Sequence, residues 1–556
     1  MKRKLLIGLL GLLGALIILV IYFALAVLIT PPEIANKAAL ELKVTKSGND
    51  FYACDGNWLK KSKTGLWEMY VEGSPYKRGV MIGKLTEDLA AKQEDYFISQ
   101  IQSMIPSAGY LGFLKYFVAW FNRDLDTHIK DEYKEEIYGI STYASEKYSH
   151  IGPRYQRILN YHAAHDIGHF LQEKNLVVGC TSFSAWGTKS EDSSLIIGRN
   201  FDFYVGDKFA ENKIVAFTNP DKGYKFMTIT WAGMIGAVSG MNEKGLCLTI
   251  NAAKSDIPTH SATPIAILAR EILQYAKNID EAYAIAKARK TFVAQSIMIG
   301  SSEDNRTSII EKSPKQIGLY SSDTNFIICA NHFQSEELKN EPLNVEHIKE
   351  STSMFRYQRM SQLVNRYPQI NISNTAEILR NRRGFNEKNI GLGNEKGLNH
   401  LLAHHSIIFK PSQLMFWIST NPYQLGEYVA YDFKKVFDKH NSIQTTTEIT
   451  EEALHIPVDS FMYSEEFKGY NRYRVLLAEI KGNKKIESIS ESKITELISA
   501  NPEFYNVYAV AGDYYKAKEE NAKAASHYKI ALSKEIPWAN DEKKIRSNLV
   551  ALVEKQ

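Results

Sequence analysis

Hydrophobic and polar positions divide the chain into an apolar N-terminus, a helical stretch, a strand-rich centre and a charged C-terminal part. Residues 5–30 form an uncharged apolar run, and residues 31–50 are mostly polar. A short strand is predicted over 66–71, and apolar residues then recur with a helical period over 75–96. More amphipathic helix, with many tyrosines and phenylalanines on one face, is predicted over 112–174.

The pattern changes at residue 180, where short alternating segments replace the helical period. Three β-hairpins are predicted in succession over 181–203, 213–233 and 235–253. Helices are predicted over 263–288. Further strands are predicted over 296–302, 308–314, 316–321, 325–333 and 404–419. Hairpins followed by helices predict an α+β fold in which antiparallel sheets are covered by helical layers.

The apolar run at the N-terminus is long enough to cross a bilayer as one helix, which needs about 20 residues. Three basic residues, 2–4, precede it, and a positive flank stays in the cytoplasm. We therefore expect residues 1–30 to be an uncleaved signal anchor. After a tether over 31–50, the rest of the chain is expected outside the cytoplasm, in the cell envelope or periplasm. Cleavage of a secretory signal at 24–26 is the alternative.

The C-terminal part turns helical and highly charged from residue 437. Residues 508–537 match one period of the tetratricopeptide pattern. The matching positions are Gly512, Tyr515, Ala524, Tyr528, Ala531 and Pro537. One repeat cannot bury its own apolar face, so neighbouring helices must cover it. We expect a helical domain over 437–556 that could recruit a protein partner; a generic helical hairpin is the alternative.

Composition and charge argue against several classes of protein. The chain has 556 residues, with 67 lysines and arginines against 63 aspartates and glutamates, so its net charge is +4. That balance, without a long basic stripe, argues against a nucleic-acid partner. Four cysteines without CxxC spacing argue against a disulfide scaffold and a zinc ribbon. Cys247 and Cys329 lie in apolar strand patterns and are expected in the core. We expect no metal and no cofactor.

A histidine-rich segment lies just before the strand-rich centre. His162, His165 and His169 share one helical face, with Asp166 among them. That spacing could hold a metal ion, and His162 with Asp166 also fits the HxxxD pattern of another class of acyltransferase. The plainer interpretation is a polar helix face, and we expect that one.

The step from Gly179 to Cys180 marks the head of the first predicted hairpin. A cysteine in a strand is ordinarily small core filler. A thiol becomes reactive when a base or a cation lies beside it. Cleavage of the Gly179–Cys180 bond would create such a base on the same residue, an α-amine that titrates near pH 8. Because Gly179 has no side chain to obstruct its carbonyl, this bond is a candidate autocleavage site.

Polar residues in the following strands could support this thiol. Arg199 and Asp202 fall on opposite faces of one strand, so a bend would be needed to bring both to Cys180. Arg199 could hold a thiolate or a substrate carboxylate, and Asp202 could orient the freed amine. Asn251 and Asn331 each end a strand and could donate to an oxyanion. A structural ion pair and strand capping are the plainer roles for these residues.

This ordered set resembles the N-terminal nucleophile hydrolases of the choloylglycine hydrolase type, and most nearly the acyl-coenzyme A:isopenicillin N acyltransferase family. The residues that carry the resemblance are Gly179 to Thr181, Gly198 to Asp202, residues 240–251, residues 330–333 and Arg356 in "FRYQR". It covers roughly residues 65–435. Residues 71–84 also resemble the start of the acyltransferase precursor, the part that becomes its small subunit.

The resemblance implies a four-layer αββα sandwich and assigns roles to individual residues. Cys180 would be the nucleophile and maturation site, with Arg199 and Asp202 as its supports. Asn251 and Asn331 would line the oxyanion site. Arg356, a cation at a predicted helix start, is carried over as a substrate-binding residue.

The sequence thus predicts a self-processing amidohydrolase or acyltransferase that forms a Cys180 thioester and passes the acyl group to water, an amine or an alcohol. Its segments are an anchor (1–30), a tether (31–50), a small-subunit-like region (51–179), a catalytic core (180–436) and a helical domain (437–556). The expected substrate is a small-molecule or lipid-like acyl compound, and membrane anchoring favours a lipid-like or cell-envelope acyl donor. The alternative is a non-catalytic scaffold in the membrane whose helical tail recruits a partner.

Overall fold

The computed structural model describes residues 2–105, 107–163, 166, 179–254, 260–483 and 485–553. In chain order its strands are β1 (Thr45–Lys46), β2 (Phe51–Cys54), β3 (Asn57–Lys61), β4 (Trp67–Gly73), β5 (Thr181–Ala185), β6 (Ile196–Phe201), β7 (Ile214–Pro220), β8 (Phe226–Thr230), β9 (Ser239–Asn242), β10 (Leu246–Ala252), β11 (Gln295–Ser301), β12 (Arg306–Lys312), β13 (Ile317–Ser321), β14 (Phe326–Cys329), β15 (His405–Lys410), β16 (Met415–Ser419) and β17 (Tyr428–Asp432).

The helices surround these strands and form the N-terminal and C-terminal parts of the chain. In chain order they are α1 (Lys2–Ala26), α2 (Pro75–Met104), α3 (Ala108–Phe121), α4 (Asp131–Ser141), α5 (Arg154–His162), α6 (Asp207–Glu211), α7 (Ile265–Tyr275), α8 (Ile279–Ala288), α9 (Pro342–Glu350), α10 (Ser353–Arg366), α11 (Ile372–Leu379), α12 (Phe433–Lys439), α13 (Glu465–Gly482), α14 (Glu491–Ala500), α15 (Tyr505–Ala517), α16 (Asn521–Ser533) and α17 (Ala539–Val553).

The strands form two sheets. Among the described residues, the large sheet has 11 strands in the order β1-β2-β3-β4-β7-β8-β9-β10-β11-β12-β13, and the small sheet has six in the order β14-β5-β6-β15-β16-β17. Strands β4 and β7 run parallel, and this pair joins the N-terminal strands to the centre of the chain. The three predicted hairpins are confirmed as β5–β6, β7–β8 and β9–β10.

Alternating strand residues pack on opposite sides of each sheet and produce four layers. In β6, Ile197 packs between the two sheets, whereas Ile196 packs with apolar residues of α10 and α11. In β11, Met298 packs between the sheets, whereas Ile297 and Ile299 pack toward α7 and α8. Each sheet therefore has one face on its partner and one face under helices. The predicted α+β fold with αββα layers is confirmed.

The segment expected as a polar tether, residues 31–50, is instead folded onto the body. It contains β1, which pairs with β2 of the large sheet. Leu42 and Val44 pack against the core that contains β4 and α2, and the preceding Ile29 is buried in that core. Leu40, Leu42 and Val44 alternate with polar residues, so a short strand signal was present in the segment interpreted as a tether. Strands β2 and β3, over residues 51–61, were not predicted either.

One described helix is long and apolar enough to cross a membrane. It covers Lys4–Ala26, with a mean hydropathy of 2.9 and no burial within the protein. By length and composition it fits an anchor and a signal sequence equally well. The chain just after it is held on the body, because Gln156 Nε2 donates to the Val27 carbonyl at 2.6 Å.

The C-terminal helices α13–α17 share one apolar core and also pack on the catalytic layers. Within that core a Cβ at Gly512 would lie 2.5 Å from the Tyr528 ring, so α15 and α16 approach closely at this glycine. Phe504 packs against the backbone at Gly391, outside the helical part. The sequence predicts a helical domain from residue 437, but these five helices begin only at Glu465. Residues 440–464 form short turns and bridge the edge strand β17. The tetratricopeptide assignment stays a prediction.

Candidate active site

Cys180 lies directly before β5 and is fully buried. Along β5 the hydroxyl of Ser182 donates to Asn251 Oδ1 of the large sheet at 3.1 Å, so Cys180, two residues earlier, also faces that sheet. Next to it, the Gly179 amide donates to the Asp202 carbonyl at 3.2 Å. The candidate cleavage step is therefore held at the end of β6.

Arg199 reaches Cys180 from the inter-sheet side of β6. Its Nη2 atom lies 3.8 Å from Cys180 Sγ. Its Nη1 atom donates to the Val238 carbonyl at 3.1 Å, and Nη2 also donates to the Ile250 carbonyl. Asn200 points the other way and donates to carbonyls of the helical layer. Arg199 and Asn200 thus point to opposite faces of β6, as strand alternation predicts. Backbone carbonyls of the large sheet hold the Arg199 guanidinium beside the sulfur.

The Cys180 thiol is held in its neutral form in the uncut chain. Burial raises its pKa above the usual value, and the charge of Asp202 adds to that rise. The charges of Arg199 and Arg356 act in the opposite direction but do not overcome burial. In a low-dielectric interior the charged form loses more solvation than two nearby cations restore. Activation of this thiol therefore needs a change at the site.

Asp202 is a buried carboxylate whose two oxygens accept no hydrogen bond from the described residues. Burial raises its pKa to about 7, although Arg356 and Arg199 oppose the rise. Because β6 ends at Phe201, no bulge is needed to bring Asp202 and Arg199 to the same cysteine. A buried polar group without a partner is costly, and a cation formed next to Asp202 would remove that cost.

Arg356 contacts the candidate cleavage step itself. This residue is fully buried in the first turn of α10. Its Nη1 atom donates to the carbonyl oxygens of Gly179 at 2.7 Å and Cys180 at 2.8 Å, and to Thr181 Oγ1 at 2.7 Å. Its Nη2 atom donates to Asn331 Oδ1 at 2.7 Å. A residue expected to bind substrate thus holds the carbonyl of the bond expected to be cut.

The two asparagines at strand ends lie at the site but differ in their available donors. Asn251 Nδ2 donates to the Cys329 and Ala330 carbonyls at 3.0 and 3.1 Å, which uses both of its amide hydrogens. Asn331 Nδ2 donates to the Ala252 carbonyl at 2.8 Å, which uses one. In the uncut chain, the strand-capping role therefore explains the contacts of Asn251. Asn331 is the better candidate for an oxyanion donor, because these contacts use only one of its two amide hydrogens.

Sequence reasoning missed three buried histidines around the site. The His400 ring lies 2.3 Å from where a Cβ on Gly179 would be, so only glycine fits before Cys180. His405 Nε2 lies 2.9 Å from Ser239 Oγ, which accepts from Arg199, and its Nδ1 lies 2.9 Å from the Nδ1 of His404. Burial lowers the pKa of all three histidines well below the usual value. The available signal was the occurrence of three histidines within six residues at the head of an apolar strand.

The histidine-rich segment upstream has a structural role where it is described. His162 is fully buried rather than on a polar face, and its Nε2 accepts from the Ile235 amide at 3.0 Å. Asp166 accepts from the Ile265 amide at 2.8 Å, at the start of α7. His165 and His169 lie outside the described residues. No group of three metal-ligating side chains occurs in the described ranges. Cys247 and Cys329 are core residues as predicted.

A cavity that is open to solvent lies near this site. Its lining is mostly apolar and aromatic, and it includes Phe97, Tyr161, Phe203, Phe209, Trp231 and Met234. The apolar cluster that contains Cys180 also contains Phe203 and Phe209. Phe201 packs in the same cluster, and its ring stacks on Phe203 at 5.6 Å. Adjoining apolar side chains therefore connect Cys180 to the cavity.

Comparisons with known proteins match the catalytic part of the chain. The sequence model of the acyl-coenzyme A:6-aminopenicillanic acid acyl-transferase family matches residues 188–419. An uncharacterized protein of Archaeoglobus fulgidus is 22% identical over 359 residues, 57% of this chain and 58% of that protein. Protein dcd1A of Dictyostelium discoideum is 23% identical over 285 residues, 47% of this chain and 60% of that protein. The chain thus covers less than two thirds of these relatives.

Solved structures that resemble part of the chain are named as an amidase, a hydrolase and an acylase. The Caenorhabditis elegans ortholog of N-acylethanolamine-hydrolyzing acid amidase is 15% identical and covers 42% of this chain and 93% of its own, with a TM-score of 0.30. A conjugated bile acid hydrolase variant from Clostridium perfringens is 14% identical, with coverages of 46% and 93% and a TM-score of 0.31. Penicillin V acylase from Agrobacterium tumefaciens is 14% identical, with coverages of 46% and 91% and a TM-score of 0.27.

The family match includes Arg199, Asp202, Asn251, Asn331 and Arg356 and begins eight residues after Cys180. Cys180 lies outside the matched residues, so only its contacts in the structure bear on its role. The resemblance drawn from the sequence is confirmed over the catalytic part of the chain, where residues 188–419 match the sequence model of the acyl-coenzyme A:6-aminopenicillanic acid acyl-transferase family.

Proposed function

We propose that this protein cuts its own Gly179–Cys180 bond and then acts as a cysteine amidohydrolase or acyltransferase. The observation that carries the proposal is the contact of Arg356 with the Gly179 carbonyl, at 2.7 Å. The thiol of Cys180 belongs to the next residue, and Arg199 lies 3.8 Å from its sulfur. Nucleophile, electrophile and charge stabiliser are thus adjacent in the uncut chain.

Maturation proceeds through an internal thioester. Cys180 Sγ attacks the carbonyl carbon of Gly179, and the negative charge that develops on the carbonyl oxygen is stabilised by the Arg356 guanidinium. The Gly179–Cys180 C–N bond breaks as the S–C bond remains, and the thiol proton goes to the departing nitrogen. Water then hydrolyses the thioester, which frees the thiol and leaves a carboxylate on Gly179.

The new N-terminus changes the electrostatics of the site. An ammonium forms on Cys180 near Asp202, whose carboxylate has no hydrogen-bond partner among the described residues of the uncut chain. The charged pair lowers the pKa of Asp202 and orients the amine. In its neutral form that amine accepts the thiol proton and activates the nucleophile for substrate. The substrate amide is attacked, its amine leaves, and the acyl group stays on Cys180 as a thioester until water, an amine or an alcohol takes it.

The cavity supports an acyl substrate with an apolar chain. Its lining is mainly apolar and includes several aromatic side chains, which is usual for small-molecule sites. We place the acyl chain in this cavity and the reacting carbonyl at Cys180. Anchoring of the chain by α1, with the catalytic body outside the cytoplasm, fits a lipid-like acyl donor. Protease added to spheroplasts should then digest the body of the protein, and protection of the body would contradict this orientation.

The intact mass of the purified protein tests maturation. We expect two associated fragments, the second beginning at Cys180, and a single chain for Cys180→Ala. Cys247→Ala is the matched control, because Cys247 is equally buried but lies in the inter-sheet core; it should still be cut.

Acylation is tested on the cut protein with a panel of N-acyl amides of increasing chain length. The 180–556 fragment should gain the acyl mass and lose it with hydroxylamine, which attacks thioesters. An uncut wild-type chain with measurable amidase activity would contradict the proposal. An uncut chain without activity would favour the scaffold alternative.

A further inference from the structure

Helix α3 presents a row of exposed aromatic side chains that the proposed chemistry does not use. Tyr110, Phe113 and Tyr116 are 51%, 61% and 57% exposed, and Trp120 is 37% exposed. Their spacing places them along one side of the helix. Single exposed apolar residues are ordinary, but a contiguous aromatic surface on a folded protein marks an interaction site.

This aromatic row is continuous with the outer end of the apolar helix α1. The Phe23 ring stacks on Trp120, with centroids 5.4 Å apart and planes 11° apart. Phe23 also contacts the edge of Tyr116 at 6.3 Å. None of the side chains of residues 4–26 is buried within the protein. Whatever medium surrounds the last turns of α1 therefore also surrounds the exposed side of α3.

We propose that α3 lies in the interfacial layer of the same bilayer that holds α1, with its aromatic row among the lipids. The proposal rests on the membrane-anchor part of the proposed function and is independent of the chemistry at Cys180. With 14 residues, α3 is about 21 Å long, too short for a hydrocarbon core of about 30 Å. Tyrosine and tryptophan are the residues that accumulate at membrane–water interfaces.

The charges near α3 are arranged as an interfacial helix requires. Lys115 is the only charged residue within α3, and its ammonium donates to the His150 carbonyl on the body of the protein. Just after the helix, the Arg123 guanidinium lies 4.5 Å from the Trp120 ring centroid. Long cationic side chains at the rim of an apolar surface keep their heads in water while their stems cover the ring. A lipid interface therefore fits this side better than an aqueous one.

Site-directed spin labels on the full chain in phosphatidylethanolamine–phosphatidylglycerol vesicles test the proposal. The Cys180→Ala background is used, because the remaining cysteines, Cys54, Cys247 and Cys329, are buried and free. Labels are placed at Phe113→Cys and Tyr116→Cys on α3, at Leu10→Cys on α1, and at Val550→Cys on α17. Val550 is the matched control, an exposed apolar residue at 54% exposure on the C-terminal helices.

We expect oxygen to relax the labels at 10, 113 and 116 more strongly than the water-soluble nickel chelate does, and the reverse at 550. Water-like accessibility at 113 and 116 with a lipid-like label at 10 would overturn the proposal and leave the anchor standing. Water-like accessibility at all four positions would overturn the anchor as well. Exclusion of both reagents at 113 and 116, with spin–spin broadening, would mean that a second copy of the chain covers this side, which would also overturn the proposal.

A second measurement does not depend on a label. Lipids brominated near the carbonyl should quench part of the tryptophan fluorescence of the wild type, and Trp120→Phe should remove that part. Equal quenching of wild type and variant would contradict the proposal. Both proteins should show the same thermal transition, because the Trp120 ring is in contact with Phe23 and solvent rather than in the core.

Discussion

The two faces of the β5–β6 hairpin place one buried arginine each at Cys180, and the two arginines differ in what they hold. On the inter-sheet face, Arg199 contacts the sulfur and is fixed by backbone carbonyls of the large sheet. On the helix-covered face, Arg356 contacts the carbonyl oxygens on both sides of the Gly179–Cys180 bond. The first arginine is positioned independently of that bond, whereas the second is positioned by it. One cation is suited to a thiolate and the other to an oxyanion.

Burial makes both cations costly in the uncut chain. It lowers the pKa of Arg356 to about 10 and lowers the pKa of Arg199 as well. The carboxylate that lies between them, Asp202, has a pKa of about 7 and is only partly ionised at neutral pH. A site with two buried cations and too little negative charge stabilises any anion that forms there. The thiolate and the tetrahedral oxyanion of the proposed maturation would both be anions of this kind.

The largest effect is expected from removing the cation on the helix-covered face. Arg356→Gln should slow autocleavage by about 100- to 1000-fold, as loss of one oxyanion donor does. The reason is that the Gly179 carbonyl loses its 2.7 Å contact with a charged donor. The measurement is the fraction of cut chain against time after synthesis, read by intact mass.

The control for Arg356 lies on the same helix. Arg359 is also fully buried on α10, but it binds Asn381 and Glu387 rather than the cleavage step. Arg359→Gln should therefore lower stability and still permit cutting. Equal loss of cutting in both variants would mean that α10 must merely fold, and it would remove the oxyanion role from Arg356.

The hairpin and its two faces could be predicted from the sequence, because strand alternation is a local property. Arg199 and Asn200 point where a period of two places them. The candidate set at the site, Cys180 with Arg199 and Asp202, was also predictable from motif order. Both inferences need only residues that lie near each other in the chain.

The contact of Arg356 with the candidate cleavage step could not be predicted, because 176 residues separate Arg356 from Cys180 and only the packing of α10 on β5 brings them together. The same is true of His400, whose ring occupies the space beside Gly179. The requirement for glycine before Cys180 therefore comes from a contact with a residue that is distant in the sequence. A strand-edge argument explains an accessible carbonyl, but the contact with His400 explains why no other residue fits.

The second prediction concerns Asp202, which lies between the two cations. In the uncut Cys180→Ala background, Asp202→Asn should raise stability at pH 8 by up to about 4 kcal/mol and change little at pH 4. The folded pKa of about 7 lies above the usual value of 3.8. The folded state therefore binds more protons than the unfolded state between these values, and stability falls as pH rises through them. Denaturant unfolding at pH 4, 6 and 8 provides the measurement.

A constant difference in stability between the Asp202→Asn variant and its parent across that pH range would show that the carboxylate is already paired in the uncut chain. Other buried acids, such as Glu68 and Glu311, also have a pKa raised to about 7, but they are present in both proteins and cancel in the difference. In the wild-type background, once the chain is cut, the sign of the difference should reverse, since an ammonium then lies beside the carboxylate.

The third prediction concerns the cation on the inter-sheet face. In cut enzyme, Arg199→Gln should raise the pKa of the Cys180 thiol by about one unit and lower turnover at neutral pH by roughly tenfold. Arg199→Lys keeps a charge near the sulfur and should recover part of the difference. The rate of iodoacetamide alkylation against pH measures the thiol pKa directly. If that pKa does not move and KM rises instead, Arg199 holds a substrate carboxylate.

The smallest effect is expected where the C-terminal helices contact the cavity wall, away from both arginines. Arg474 of α13 donates to Asp207 Oδ2 and to the Tyr423 hydroxyl, each at 2.6 Å. Asp207 lies in α6, whose Phe209 lines the cavity. A partly exposed ion pair contributes up to about 1 kcal/mol, so Arg474→Gln should raise KM by no more than roughly fivefold and leave kcat and the cutting of Gly179–Cys180 unchanged.

The neighbouring Arg472 gives the comparison that decides this last point. Its side chain is 46% exposed and pairs with Glu496 within the C-terminal helices, so Arg472→Gln removes an ion pair on the same helix without contact to α6. KM should not change in this variant. If both substitutions raise KM equally, the helices act on the cavity through their overall stability. If neither substitution raises KM, α6 is positioned by the catalytic layers alone. The roles of Arg199, Asp202 and Arg356 at Cys180 then do not depend on the C-terminal helices.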